Sequence, residues 1–281
     1  MSFFYGLEWK MKEKIFVFIF LIIFLLTLTI NTLGVFAQNI DSLPQTFPRT
    51  VLVELFVQEG CPTCPTAEFC LEDLAWEYGT SKFILVQEHL WGDGYDTPET
   101  NARYDWYVGD GKKGTPDVFI NGLTKRFQGL SCDCVEGNYE CYKDAIDEEL
   151  TRPSLLEISA VKTPHPNPFP QGEREKDEES TTTIIEGTVK NISDTPLKDL
   201  AVCGMVGKEG DKSGLYNYIQ DIFPFQNIPT LLPGAAFNFK FISEISLTPE
   251  SEIDDEKEIL HLVIFVQNTI TKEILQALYL E

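Results

Sequence analysis

Basic residues are scarce in this chain of 281 residues. Lys and Arg number 22 against 44 Asp and Glu, a formal net charge of −22. A surface of that sign repels phosphate backbones and anionic headgroups, which argues against nucleic acid or acidic lipid as partners. Histidine is scarcer still, with only His89, His165 and His261. A single C-x-x-C is present, so the paired ligand set of a usual zinc site is missing and no metal site is expected. No Gly-rich phosphate loop, no Ser/His/Asp set and no internal repeat is found. What remains is 43% hydrophobic with twenty Phe. That composition suits a folded chain with a true core, and the length suits about two domains.

The first residues read as a targeting segment. Lys10, Lys12 and Lys14 precede Ile15–Ile30, in which only Thr27 and Thr29 are polar, and Val35-Phe36-Ala37 offers a small residue for cleavage. The pattern predicts a signal peptide over residues 1–37 and an exported product: periplasmic, cell-surface or secreted. The alternative is an uncleaved anchor over residues 15–37, long enough to span a bilayer with tilt, and only then is a membrane a partner. No cysteine follows the apolar run, so lipid anchoring is not indicated. Seven cysteines in an exported chain point to disulfides, and six of them fall between Cys61 and Cys141.

Residues 38–152 carry a mixed pattern. Thr50–Gln58 and Lys82–Glu88 are nearly continuous apolar runs, as expected of strands buried on both faces. Between them Ala67, Leu71, Leu74 and Ala75 repeat at helical spacing. Thr97–Val108 reads as a helix with Thr97 as N-cap and Pro98 in the first turn. Asp117–Asn121 and Leu123–Leu130 read as a hairpin turning at Asn121-Gly122, and Asn138–Leu150 as a last amphipathic helix. Residues 153–281 change to about seven short strands with turn signals between them, a β-sandwich pattern. A Pro-, Gly- and charge-rich loop is expected over residues 163–180.

The chemistry is concentrated in Cys61-Pro62-Thr63-Cys64, which follows the first strand and opens the first helix. Free N–H groups and the helix dipole there stabilise a thiolate. Pro62 suits the first helical turn, where a missing N–H costs nothing. Cys61 is then the attacking thiol, and Cys64, one turn in, the resolving one. Some fifty residues on, Thr115-Pro116 precedes the hairpin, and a cis proline there would leave the backbone of Thr115 to align a substrate strand. Two plainer uses stand beside this one: an inert staple, or copper(I) held by the two thiols with His89 or a Met as a further ligand.

These residues resemble a family. Val53-Glu54-Leu55-Phe56, Gly60-Cys61-Pro62-Thr63-Cys64-Pro65, and Thr115-Pro116 with Val118-Phe119-Ile120-Asn121-Gly122 are similar to the exported bacterial thioredoxin-like proteins over about residues 48–150. The resemblance implies an α/β thioredoxin-like fold, with Cys61 and Cys64 as the redox pair and Pro116 beside them. The C-terminal part resembles, more faintly, immunoglobulin-like domains, so the expected fold class is a thioredoxin-like domain followed by an all-β immunoglobulin-like sandwich. Thioredoxins carry a buried Asp six residues before the first cysteine; here that position is Leu55. Its neighbour Glu54 is the possible proton acceptor for Cys64, although strand alternation turns it to the other face.

The remaining cysteines suit structural disulfides. Cys70, Cys132, Cys134 and Cys141 allow three pairings, and because a Cys132–Cys134 bond closes a strained ring, two bridges using one of them each are expected. An electron relay to a second dithiol is the other use. Cys203, alone on a C-terminal strand, reads as a buried thiol. Near the redox pair, His89 is a possible base or ligand, and Trp91 and Tyr95 possible walls of a substrate groove. Taken together the sequence predicts an exported thiol–disulfide oxidoreductase that needs no cofactor beyond its own redox-active disulfide. It would act on exported protein thiols, small thiols or a redox partner protein. The alternatives are a non-catalytic surface or assembly module with structural disulfides, or a copper(I)-binding protein.

Overall fold

Val51–Val57 is apolar at six of seven positions, and it forms a strand, β1, in which every residue is buried. The computed structural model describes residues 47–129, 140–166, 181–208, 218–243 and 260–280. The expected signal or anchor segment, Cys132, Cys134, and most of the 163–180 loop lie outside them.

Alternation along β1 sends its side chains to two faces. Val51, Val53, Leu55 and Val57 face helix α1 (Cys64–Tyr78) and helix α3 (Glu140–Leu150), packing on Ala67, Leu71, Leu74, Tyr142 and Ile146. The next strand, β2 (Phe83–His89), pairs with β1 in parallel, from Val51↔Phe83 to Val57↔His89. On the opposite face Phe56 packs under helix α2 (Pro98–Val108), against Tyr104 and Tyr107. Thr97 caps α2 as expected, its hydroxyl accepting from Thr100 N–H at 3.1 Å, with Pro98 in the first turn. The hairpin β3 (Asp117–Ile120) and β4 (Lys125–Gln128) completes this half, with Asn121 and Gly122 both at positive φ in its turn. The helix expected from Asn138 is described from Glu140, its start lying outside the described residues.

The C-terminal strands are β5 (Leu156–Pro166), β6 (Thr181–Asn191), β7 (Leu200–Lys208), β8 (Tyr218–Ile222), β9 (Gln226–Ile228), β10 (Ala236–Ser243), β11 (Leu260–Asn268) and β12 (Ile274–Leu280). They correct the expected fold class. Instead of an α/β thioredoxin-like domain followed by a separate all-β sandwich, the described residues form a mostly β body. Its main sheet is mixed and nine-stranded, in the order β12-β11-β7-β8-β2-β1-β3-β4 with β9 paired to β7. Gln87 of β2 pairs in parallel with Tyr218 of β8, joining the two halves. The strands β10-β6-β5 make a second sheet.

The physical reason lies in one face of β1 and β2. Leu52, Ile84 and Val86 are apolar, and α2 covers only the Phe56 end of their face. Ala201, Cys203 and Met205 of β7, Ile219 of β8, Val263 and Phe265 of β11, and Ile274 and Ala277 of β12 cover the rest. The other faces of β7 and β11 pack on β5, β6 and β10 through Val202, Ile264, Ile185, Val189 and Phe239. Thus β7 and β11 are central layers, buried on both sides, and read in the sequence as sandwich strands only because their second partner is distant in the chain.

Polar ties follow the same seam. Arg49 donates to Ile274 O at 2.5 Å and to Glu273 at 3.1 Å, and Arg152 reaches Glu273 at 2.6 Å. Gly122 touches the β11–β12 turn so closely that an added Cβ would lie 1.9 Å from the carbonyl oxygen of Lys272.

Candidate functional site

The backbone turns sharply after β1. Gly60 takes a φ of 77°, and Cys61 N–H closes a turn on Gln58 O at 3.1 Å. Glycine adopts such a left-handed conformation without a steric cost. This turn keeps Cys61 outside the helix. The helix begins at Cys64, with Thr63 at the cap position and Pro65 in the first turn, where Pro62 was expected. Cys61 and Cys64 are joined by a disulfide, with Cα atoms 5.5 Å apart. Their environments differ: Cys61 is partly buried at the rim of the helix-side core, whereas Cys64 is 2% exposed. The amide N–H of Cys64 points to Cys61 Sγ at 3.2 Å, and Thr63 Oγ1 lies 3.7 Å from the same sulfur. That N–H is one of the donors a helix leaves unpaired at its start.

The Thr115–Pro116 peptide bond is cis. Asp117 pairs with Phe56, so this bond lies at the end of the sheet where β1 runs into the Gly60–Cys64 turn. Pro116 is buried and Thr115 partly so. The sequence therefore brings Cys61, Cys64, Thr115 and Pro116 to one end of the sheet.

Glu54 is not with them. It is fully buried on the opposite face, where it is ion-paired with Arg103 Nε and accepts from Tyr107 OH at 2.6 Å. Glu88 lies beside it, 3.8 Å from Arg103 Nε, and its carboxyl is pushed well up by burial and then by the charge of Glu54. Gln267 of β11 donates to Tyr107 OH at 2.7 Å and draws this cluster into the seam between the halves. The expected proton acceptor for Cys64 is thus corrected: period-two alternation commits Glu54 to the α2 face, away from α1.

Of the other cysteines, Cys141 is disulfide-bonded and Cys70 is buried in the helix-side core. The expected pairings with Cys132 or Cys134 lie outside the described residues. Cys203 is a buried thiol facing the N-terminal half, and burial pushes it up to about 12. Among the described residues no group of three or more Cys, His, Asp or Glu is arranged to hold a metal ion. Also among the described residues, no helix is long and apolar enough to cross a membrane.

His89 ends β2 and packs its ring 5.2 Å from Tyr95 and 6.2 Å from Tyr218. Its Nδ1 is 2.7 Å from Asp93 Oδ2. Asp93 also accepts from Glu59 N–H at 2.9 Å and from Tyr95 N–H at 3.0 Å, which ties the cysteine-bearing turn to this loop. The sequence singled out His89 as a possible base or ligand, but not its pairing with Asp93. Tyr218, from the other half, had no local signal. On α1 the carboxyl of Glu68 is pushed up by burial, with His89 acting in the opposite sense, and Glu72 is raised to about 7 by burial, Glu68 and Asp73. Trp91 and Tyr95 are both partly exposed beside the loop.

No protein-family model matches the sequence, and no curated protein does. Among solved structures, HBP35 of Porphyromonas gingivalis is similar with a TM-score of 0.60 at 18% identity, over 84% of this chain and 76% of that one. At such identity the likeness is one of fold alone, and it extends across both halves. A β-glucuronidase of Bacteroides uniformis (TM-score 0.28, 21% identity, 44% of this chain) and a β-glucosidase of Listeria innocua (TM-score 0.25, 16% identity, 46% of this chain) are similar over shorter stretches. This chain spans 12% and 16% of those two enzymes, and they carry no argument here.

Proposed function

We propose that this protein is a thiol–disulfide oxidoreductase, acting outside the cytoplasm on protein or small thiols through Cys61 and Cys64. The observation that carries the reading is the asymmetry of the pair: a partly exposed Cys61 whose sulfur receives the Cys64 N–H at 3.2 Å, and a Cys64 sealed beneath it. On reduction, the same orphan N–H and the dipole of α1 stabilise negative charge on Cys61 Sγ. Cys61 thiolate attacks a substrate disulfide, one substrate thiolate leaves, and Cys64 then attacks Cys61 to release the second. Two electrons pass from the dithiol to the substrate disulfide; the reverse sequence oxidises a substrate dithiol. Thr115 and Pro116 at the same end of the sheet support a place for substrate backbone. The resemblance to exported thioredoxin-like proteins in these segments supports the chemistry without naming a substrate.

The test is a redox titration of the full chain with thiol trapping and peptide mapping. We expect Cys61 and Cys64 to open and close reversibly between about −270 and −120 mV. A pair that stays closed well below about −300 mV is a structural staple, and the catalytic reading is then wrong.

A further inference from the structure

A resolving cysteine must lose its proton before it attacks, and this chain has no acidic side chain under Cys64 from β1. Position 55 is leucine, and Glu54 is committed to Arg103 and Tyr107 across the sheet. On the face that α1 covers, at the cysteine end, His89 and its partner Asp93 are buried titratable groups, their side chains 4% and 2% exposed.

Register fixes its direction. His89 pairs with Val57. In parallel neighbours, paired residues share a face. Val57 belongs to the core that holds Cys64 and Ala67, so His89 lies on the α1 side of the sheet, one strand over from where the cysteine turn begins. Leu90 N–H donates to Val57 O at 3.1 Å, which holds that end of β2 to β1. The His89 carbonyl accepts from the Thr100 hydroxyl at 2.8 Å, which anchors it to α2 as well.

Tautomer follows from partner. His89 Nδ1 lies 2.7 Å from Asp93 Oδ2. A carboxylate only accepts, so Nδ1 carries a proton, and in the neutral ring Nε2 carries the lone pair. Nε2 is buried and has no hydrogen-bond partner among the described residues. A buried acceptor without a partner is costly, and such groups are kept where they have work to do. The charged and titratable groups facing the ring are Asp93 on the following loop, Glu68 on α1, Tyr95 on the loop and Tyr218 on β8.

Resting on the oxidoreductase reading, we propose that His89, oriented by Asp93, accepts the proton of the Cys64 thiol in the resolving step. With Cys61 bonded to a substrate sulfur, Cys64 S–H gives its proton to His89 Nε2 through one intervening water. The thiolate attacks Cys61 Sγ, the Cys61–substrate bond breaks, the Cys61–Cys64 bond forms, and the substrate leaves as a thiolate. That thiolate, or water, takes the proton from His89. Asp93 is a positioning residue: it fixes the ring and, through Glu59 N–H, the turn that bears Cys61, so ring and disulfide share one support.

The two steps separate with an aromatic disulfide whose thiolate product is coloured, 5,5′-dithiobis(2-nitrobenzoate), mixed with the reduced full chain. The first thiolate reports attack by Cys61 and the second reports resolution by Cys64. H89N is expected to slow the second release by about 10²-fold, the ordinary scale of a positioned proton acceptor, and to leave the first nearly unchanged. Raising the pH restores the second rate as Cys64 ionises unaided. Equal rates in H89N and wild type, or equal slowing of both steps, overturn the assignment. Should H89N not fold, D93N is the second variant: it keeps the ring but removes the carboxylate that orients it, so the second release is expected to slow while the first stays nearly unchanged, and equal rates in D93N and wild type overturn the assignment. A wild-type chain that releases no second thiolate removes the oxidoreductase reading itself and this assignment with it.

Discussion

Three sulfur atoms of this chain differ in what surrounds them, and their reactivity should follow. Cys61 reaches solvent at the rim of the core, Cys64 sits beneath it, and Cys203 is enclosed between the halves. Burial is the largest influence on Cys203 and raises it to about 12. At about pH 8, near the ordinary thiol range, it therefore stays protonated and shielded. Iodoacetamide should leave the Cys203 peptide unmodified in the native protein and label it fully in denaturant; rapid native labelling overturns this. Features that depend on near neighbours were legible: the bond between Cys61 and Cys64, Thr97 as a cap, and Cys203 as a buried thiol. Asp93 and Tyr218 were not, because their contacts with the site depend on where a loop and a distant strand come to rest.

At the scale of elements, strands and helices were readable from their periods, yet the layer that covers each was not. An all-apolar strand declares that both its faces are buried without saying by what. The polar exceptions carried that information. Glu54 and Glu88 mark the face where α2 brings Arg103 and Tyr107, and β11 brings Gln267. Burial, then the neighbouring Glu54 charge, holds Glu88 well above the usual carboxylate range, so the folded state keeps its proton longer than the unfolded chain does. The sign follows from linkage. This contribution to stability is fully present below about pH 4.3, the unfolded value for Glu, and is lost as pH climbs toward and through the raised folded value. In urea titrations across that window the wild type should lose stability, relative to E88Q, by at most about 1.4 kcal/mol per pH unit. Parallel curves for the two proteins would show that Glu88 titrates normally.

For the whole molecule, an α/β domain followed by an all-β sandwich was expected from the change of pattern near residue 152, and a mostly β body was found whose main sheet takes strands from both halves. In the sequence this shows only as an excess of apolar surface on β1 and β2, beyond what one short helix can cover. Gly122 is the tightest point of the seam, with a φ of 69° and the Lys272 carbonyl against it. G122A should cost about 2–4 kcal/mol, from a left-handed backbone and an overpacked contact together. All four Trp lie before residue 107, so fluorescence reports the first half while circular dichroism reports the strands of both. The two transitions should coincide in the wild type; separated transitions would mean that the halves fold independently.

The shared core also has a consequence for how the chain is made. Leu52, Ile84 and Val86 leave the ribosome well before the strands that shelter them. Each such side chain is worth about 1.5–3 kcal/mol when buried. Well over half the chain separates Val86 from Ile274, a delay on the order of tens of seconds at ordinary rates of synthesis. Throughout that interval the half that bears the cysteines presents an uncovered apolar sheet, exposed until β7, β11 and β12 arrive.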